Sequence, residues 1–291
     1  MSYEITCGVD SANTGHLKAC ENTLVAPTKL ILVPKGFSFA TQTLAETLAS
    51  WATAIKSDTA RIFPLPEVDV LTVEDQENKV ADRVFKGTKF VSGGKRGFTM
   101  MLDVNKYVSK QLYKLSGRAF DCFIVDANEN IHGISTDGIK FEGIGMLSFQ
   151  VLPQPTPDGT DFMMTPVKVV LSDPDKWMRY GVFINPTWSP INDLDGVYNV
   201  VLTVTSNWSA TGGNVRVTYE GSGLPVTGLV GADFTIPGKS ITSATPSGDG
   251  GDYAIVSSGL STSTINLVAC ASISLTDIAI ESTSAEAFTV S

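Results

Sequence analysis

Hydrophobic and polar positions alternate in short runs through the last third of the chain. Val197–Val204 is β-branched and partly alternating, and Asn214–Tyr219 alternates polar with apolar residues. Asp233–Ile236, Ser240–Ser243, Asp252–Val256, Thr264–Ala269 and Ala287–Val290 continue the pattern. Between them lie Thr211–Gly213, Gly221–Gly223, Pro237–Gly238 and Gly248–Gly251, all glycine-bearing. A period of two punctuated by Gly and Pro marks half-buried strands joined by turns. About seven such strands predict a β-sandwich.

The first two thirds are mixed. Lys29–Val33 is an apolar, strand-sized run. Thr43 and Glu46 have capping-box spacing, in which hydroxyl and carboxylate each satisfy the other's backbone N–H. They open a predicted helix whose apolar face is Leu44, Leu48, Trp51, Ala52 and Ile55. Pro64 and Pro66 then forbid helix. Val68–Val73 and Lys79–Phe85 read as strands, while Lys89–Val91 and Phe98–Leu102 read as a hairpin joined through Ser92–Gly97. Val104, Val108, Leu112 and Leu115 mark a second helix with Asp103 as its cap. Phe120–Val125 is a buried strand, and Asp126–Asn130 turns the chain into Ile131–Ile134. Gly145–Val151 and Val167–Leu171 are further strands, and no internal repeat emerges.

The fold class expected is therefore mainly β. An α+β domain, a β-barrel or sandwich with two helices, occupies residues 1–190, and a β-sandwich occupies residues 197–291. The composition shift supports that boundary. Residues 197–291 hold two basic residues, Arg216 and Lys239, against seven acidic ones, and they are richer in Ser, Thr and Gly. The whole chain carries −9, with 43% hydrophobic and 18% charged residues, which suits a folded protein with many turns. A protein that grips nucleic acid normally shows a basic surface; this balance argues against gripping, though not against a surface past which DNA slides. The start, Met1–Cys7, lacks a basic region followed by an apolar stretch, and no apolar run reaches the roughly 18 residues of a spanning helix. Folding in the cytoplasm without a membrane anchor is the expectation. Cys122 and Cys270 lie in apolar runs as small core residues, whereas Cys7 and Cys20 are close enough in sequence to pair across a short loop.

Tests for chemistry come back empty. His16 and His132 are the only histidines, and no G-x-S-x-G exists. Gly94–Lys95 is followed by Arg96 rather than Ser or Thr, and Gly238–Ser240 lacks the first glycine of a phosphate loop, with Asp233 in its place. Asp126, Asn128 and Asn130 begin like a calcium loop, but Ile131 stands where glycine is needed and Asp137 where a bidentate Glu is needed. A polar turn is the better reading there, and for Asp249 and Asp252 in their Gly-rich turn. Asn207–Ser209 has the glycosylation pattern, which matters only in a secretory pathway. Neither a catalytic residue, a cofactor nor a metal is expected.

Pro225–Ile236, followed by Ser247–Tyr253, resembles bacterial and phage immunoglobulin-like modules. Residues 28–185 resemble tailed-bacteriophage tail tube proteins in layout. The likeness lies in an early strand, a long acidic-to-basic hairpin region (Val68–Phe85 and Lys89–Leu102), a helix, and the strand-turn-strand Phe120–Gly133. The resemblance implies a non-enzymatic virion subunit, assembled in the host cytoplasm alongside other virion proteins. Its copies would close into rings, usually hexamers, which stack into a tube through which DNA passes as cargo. Edge strands would pair between neighbours, and an acidic wall would repel phosphate. Glu74, Asp75, Glu77 and Asp82 are the candidate lumen-facing residues; an ordinary solvated face is the alternative. The sandwich would face outward, with weak cell-surface or glycan contact, or simple decoration, as its role. Trp208 in an expected loop is a candidate contact residue; packing on its own sandwich is the alternative. Two other readings stay open: a capsid decoration or other virion or surface adhesion protein, and an enzyme with an accessory sandwich.

Overall fold

Runs rich in Val, Ile, Phe and Thr, broken by glycine and proline, make strand the dominant element. A computed structural model describes residues 26–75, 79–83, 87–92, 94–155, 163–248, 250–273, 275 and 278–290. Cys7, Cys20, His16, Glu77 and Asp249 lie outside the described residues. The chain divides into two compact units, Met1–Trp51 with Ala60–Leu194, and Ala52–Thr59 with Asp195–Ser291.

The first unit runs β1 (Pro27–Pro34), β2 (Ser38–Phe39), α1 (Gln42–Ala45), α2 (Leu48–Lys56), β3 (Phe63–Pro64), β4 (Val70–Val73), β5 (Lys79–Arg83) and β6 (Gly87–Ser92). It continues with β7 (Gly97–Leu102), α3 (Lys106–Tyr113), β8 (Phe120–Asp126), β9 (Ile131–Ile134), β10 (Phe141–Glu142), β11 (Ile144–Val151), β12 (Thr165–Leu171), α4 (Pro174–Tyr180) and β13 (Gly181–Ile184). An 11-stranded sheet follows the order β2-β10-β9-β8-β11-β12-β7-β4, with β1 on β8, β3 on β1 and β13 on β9. Strand β11 is its corner: Ile144 and Gly145 pair with β8, whereas Met146–Val151 pair with β12. A register shift between Met146 and Ser148 sits at the change, as a bulge that bends the strand would. The sheet thus folds over one core, where Leu30, Leu32, Cys122 and Ile124 meet Met100, Leu102, Val167 and Val169. The alternate residues of β1 and β8 serve a second, aromatic layer. Trp51 lies 4.6 Å from Phe39 and 5.2 Å from Phe123 by ring centroid, and Phe123 stacks on Phe141 at 4.9 Å. Burial on both faces explains why all of Phe120–Asp126 is buried.

Three local expectations are corrected. The first helix is two helices, and its cap is Thr41 rather than Thr43. Thr41 is extended (φ −142°, ψ 157°) and its hydroxyl accepts from the Leu44 N–H at 3.3 Å. Thr43 lies inside the turn, and Leu44 is 46% exposed while Trp51 and Ile55 are buried. The second helix is capped by Asn105 rather than Asp103: its side chain accepts from the Val108 N–H at 2.9 Å, with Leu112 buried and Val108 packed on the core. Finally, Lys89–Val91 does not pair with Phe98–Leu102. β6 pairs with β5 and β7 with β4, and the register that sets Val70 opposite Met101 carries on to Lys79 opposite Ser92. β5 and β6 form a two-stranded sheet of their own, whose register matches that of β4 on β7.

The second unit holds β14 (Tyr198–Val204), β15 (Gly212–Tyr219), β16 (Phe234–Thr235), β17 (Ile241–Ser247), β18 (Asp252–Ser257), β19 (Ser263–Leu267), β20 (Ile280–Ser282) and β21 (Glu286–Phe288). A 5-stranded sheet has the order β17-β18-β15-β14-β20 and a 3-stranded sheet the order β16-β19-β21. β20 runs parallel to β14, while the strand that follows it, β21, pairs with β19 in the other sheet. Inward residues of both sheets, among them Val215, Val217, Tyr253, Ile265, Leu267 and Phe288, share one core. Trp208 belongs to that core: it is buried and stacks on Phe288 with centroids 4.0 Å apart. A Cβ at Gly213 would come within 2.4 Å of its indole, so glycine is required there. The expectation of Trp208 as a surface contact is therefore overturned, because the indole is large enough to repay complete burial.

Candidate functional site

At one end of the large sheet β11, β12, β7 and β4 lie side by side, and among the described residues β4 is the last strand. Pleating sends alternate residues to opposite faces. Phe98, Met100 and Leu102 point to the core with Val167, Val169 and Leu171. The opposite face carries a register row of Thr72, Thr99, Lys168 and Gln150, one residue from each strand. Glu74 follows β4 directly, and its backbone N–H donates to Gly97 O at 2.7 Å. Its carboxylate accepts from the Thr99 hydroxyl at 2.7 Å and from the Lys168 ammonium. Hydrogen bonds from Lys168 and Thr99 hold the Glu74 carboxyl below its usual range. Asp75 stands 3.9 Å from Arg96.

Of the four acidic residues expected on a wall, Glu74 and Asp75 are exposed and lie together just past β4, each with a basic partner across the strands. Asp82 falls on β5, in the separate two-stranded sheet with β6. The partners Lys168 and Arg96 were not singled out from sequence. Lys168 is 94 residues from Glu74 and comes beside it only through sheet pairing, so local sequence carried no signal for it.

The turn Asp126–Asn130 is built from within. Asp126 is fully buried; one carboxylate oxygen accepts from the N–H groups of Asn128 (2.9 Å) and Asn130 (3.0 Å). The other accepts from Asn130 Nδ2 at 3.2 Å and lies 2.8 Å from His132 Nε2, which donates to the ionised acid. Glu129 takes φ 62° to close the turn. Burial raises the Asp126 carboxyl, but the bonds from His132 and Asn130 outweigh it and leave it lowered. Burial likewise lowers His132, and the pull of Asp126 in the opposite direction does not cancel it. With its oxygens so occupied, Asp126 is a structural anchor rather than a calcium ligand. Asp137 makes its own turn, accepting from Ile139 N–H and Lys140 N–H at 2.9 and 2.8 Å. Asp252 pairs with Arg216 at 3.3 Å. Cys122 is buried, and desolvation pushes its thiol far up, away from a reactive thiolate. Cys270 is buried as well.

A cavity of about 190 Å³ is lined by Asp121, Asp173, Lys35, Lys176, Ser172 and Trp177 among others, with no His or Cys in its wall. Asp121 already accepts from Gly36 N–H at 2.7 Å, and Asp173 caps α4 by accepting from Lys176 N–H at 3.0 Å. Charges of both signs line it. Among the described residues no three His, Cys, Asp or Glu side chains converge on a metal position, and no helix is long and apolar enough to cross a membrane. No family model matches the chain, and no curated protein matches it.

Proposed function

We propose that this chain is a structural, non-enzymatic virion subunit whose copies close into rings, hexameric by family likeness, and stack into a tail tube through which DNA passes. The observation that carries the reading is a four-strand antiparallel segment whose last strand among the described residues is β4, with the β5–β6 pair in matching register. An edge strand presents unpaired backbone groups and is a template for another chain; a ring of subunits uses each such edge, as a closed barrel does. In this reading the Thr72–Gln150 face and its paired charges line the channel. Paired charges leave little net field, so phosphate neither adheres nor meets a strong barrier.

The immunoglobulin-like reading of the second unit is supported by strand order. Lettered in sequence, β14 to β19 with β21 are A to G; one sheet then reads D-E-B-A and the other C-F-G, with β20 as an addition. That division is the one seven-stranded immunoglobulin-type sandwiches use. Its role in the virion is outward decoration or weak contact with a cell surface or glycan, now without Trp208. Negative-stain electron microscopy of the full-length protein, with light scattering on the same sample, tests the assignment. Rings or tubes with a central channel and outward knobs are expected. A monomer at every concentration, even with an initiating complex supplied, would overturn it in favour of a decoration or adhesion protein.

A further inference from the structure

Helix α3 carries a charge that no carboxylate among the described residues answers. At about 100° per residue, Lys106, Lys110 and Lys114 fall on one stripe opposite the Val108–Leu112 face that packs on the core. All three lysines are exposed, and Tyr113, on the same side of the helix, is 63% exposed. Arg118 follows the helix, also exposed, its guanidinium 5.5 Å over the Phe120 ring. No Asp or Glu occurs between Asp103 and Asp121. Among the described residues no carboxylate pairs with Lys106, Lys110 or Lys114. Lys114 donates instead to Gln111 Oε1 at 2.7 Å. Like charges at i and i+4 weaken a helix, so this stripe opposes the stability of the element that bears it.

We infer that this face docks on an acidic surface of a second copy of the chain; the inference rests on the reading of the protein as a self-assembling subunit. Charge complementarity selects that occupant. The chain carries −9 overall, although 104–120 contributes only positive charge, so the rest of its surface is more acidic still. One copy therefore carries the opposite charge that a head-to-tail contact with this face needs, the type of contact that builds rings and stacks. An exposed tyrosine within a basic stripe suits a protein interface, where Tyr and Arg anchor binding. A nucleic acid would meet four positive groups on an otherwise repelling molecule.

Sedimentation velocity on the full-length protein tests this. NaCl is raised from about 0.1 M to about 1 M, which shortens the Debye length from about 10 Å to about 3 Å. The wild type is expected to self-associate at least about tenfold more weakly at high salt. The triple variant Lys106→Glu, Lys110→Glu, Lys114→Glu should associate at least about tenfold more weakly at low salt and lose the salt dependence. The triple Lys→Arg variant should behave as wild type, and circular dichroism should show all three equally folded, since the side chains are exposed. Wild-type association in the Glu variant would overturn the docking while leaving the tube reading intact. A wild type that stays monomeric at every salt would sink both. Low-salt binding of duplex DNA that the Glu variant loses, with self-association unchanged, would assign the face to nucleic acid instead.

Discussion

The two units solve the problem of a β-rich core in different ways. The first buries polar groups and satisfies them: Asp126 receives donors from Asn128, Asn130 and His132, and Lys29 donates to Ile191 O and Leu194 O at 2.9 and 2.7 Å. The second relies on apolar packing around Trp208, Phe288 and Tyr253, and its buried carboxylate, Asp233, stays at a turn, accepting from Val230 N–H at 2.8 Å. A buried polar anchor fixes one arrangement of turn and strand but exposes the fold to pH. A core with no buried carboxylate–histidine couple is less exposed to that dependence and more sensitive to volume.

The largest effects should come from removing each unit's own anchor. Asp126→Ala strands His132 and three other donors, and should cost about 3–5 kcal/mol. Trp208→Ala leaves a cavity over Phe288 and should cost about 3–5 kcal/mol. Calorimetry should show each substitution lowering one transition and sparing the other. A single transition lowered by both would break the comparison.

Acid should separate the units next. Burial holds His132 below the ordinary histidine value of 6.5 in the folded state, so the unfolded chain takes up the proton first. Stability from this group is present above about pH 6.5 and falls as pH drops through the window below it. Asp126, lowered from 3.8, adds a further loss only below about that pH. Neither histidine lies within residues 195–291, so between pH 7 and 5 the transition of the first unit should move down and that of the second should not. Equal shifts in both would show that the Asp126–His132 couple is not the cause.

The smallest effects discriminate caps. Thr41→Ala and Asn105→Ala should each cost about 1 kcal/mol. Thr43→Ala and Asp103→Ala should be close to neutral in urea titration, since neither side chain caps its helix.

Those caps also mark where sequence reasoning stops. Thr41 and Thr43 are both competent caps, as are Asp103 and Asn105; the choice depends on which start turns Ala45 or Leu112 inward, a tertiary fact. Strand positions were legible because alternation and glycine punctuation are local, and the buried Phe120–Val125 run stood out by apolarity alone. Pairing was not: Ser92–Gly97 looks like a turn between Lys89–Val91 and Phe98–Leu102, yet β6 pairs with β5 and β7 with β4. The acidic residues just past β4 were visible, whereas their neutralisation by Lys168 and Arg96 was not. Trp208 sits in a polar stretch, Asn207–Ser209, and its partner Phe288 is 80 positions away.

The measurement that tests the assembly account most directly is electron microscopy of a shortened-hairpin variant beside the wild type. Residues 76–93 would be replaced by a two-residue turn that keeps β4 paired with β7. The account predicts that this variant melts like the wild type yet forms no tubes under conditions where the wild type does. Tubes of the same diameter and length from the shortened chain would contradict it.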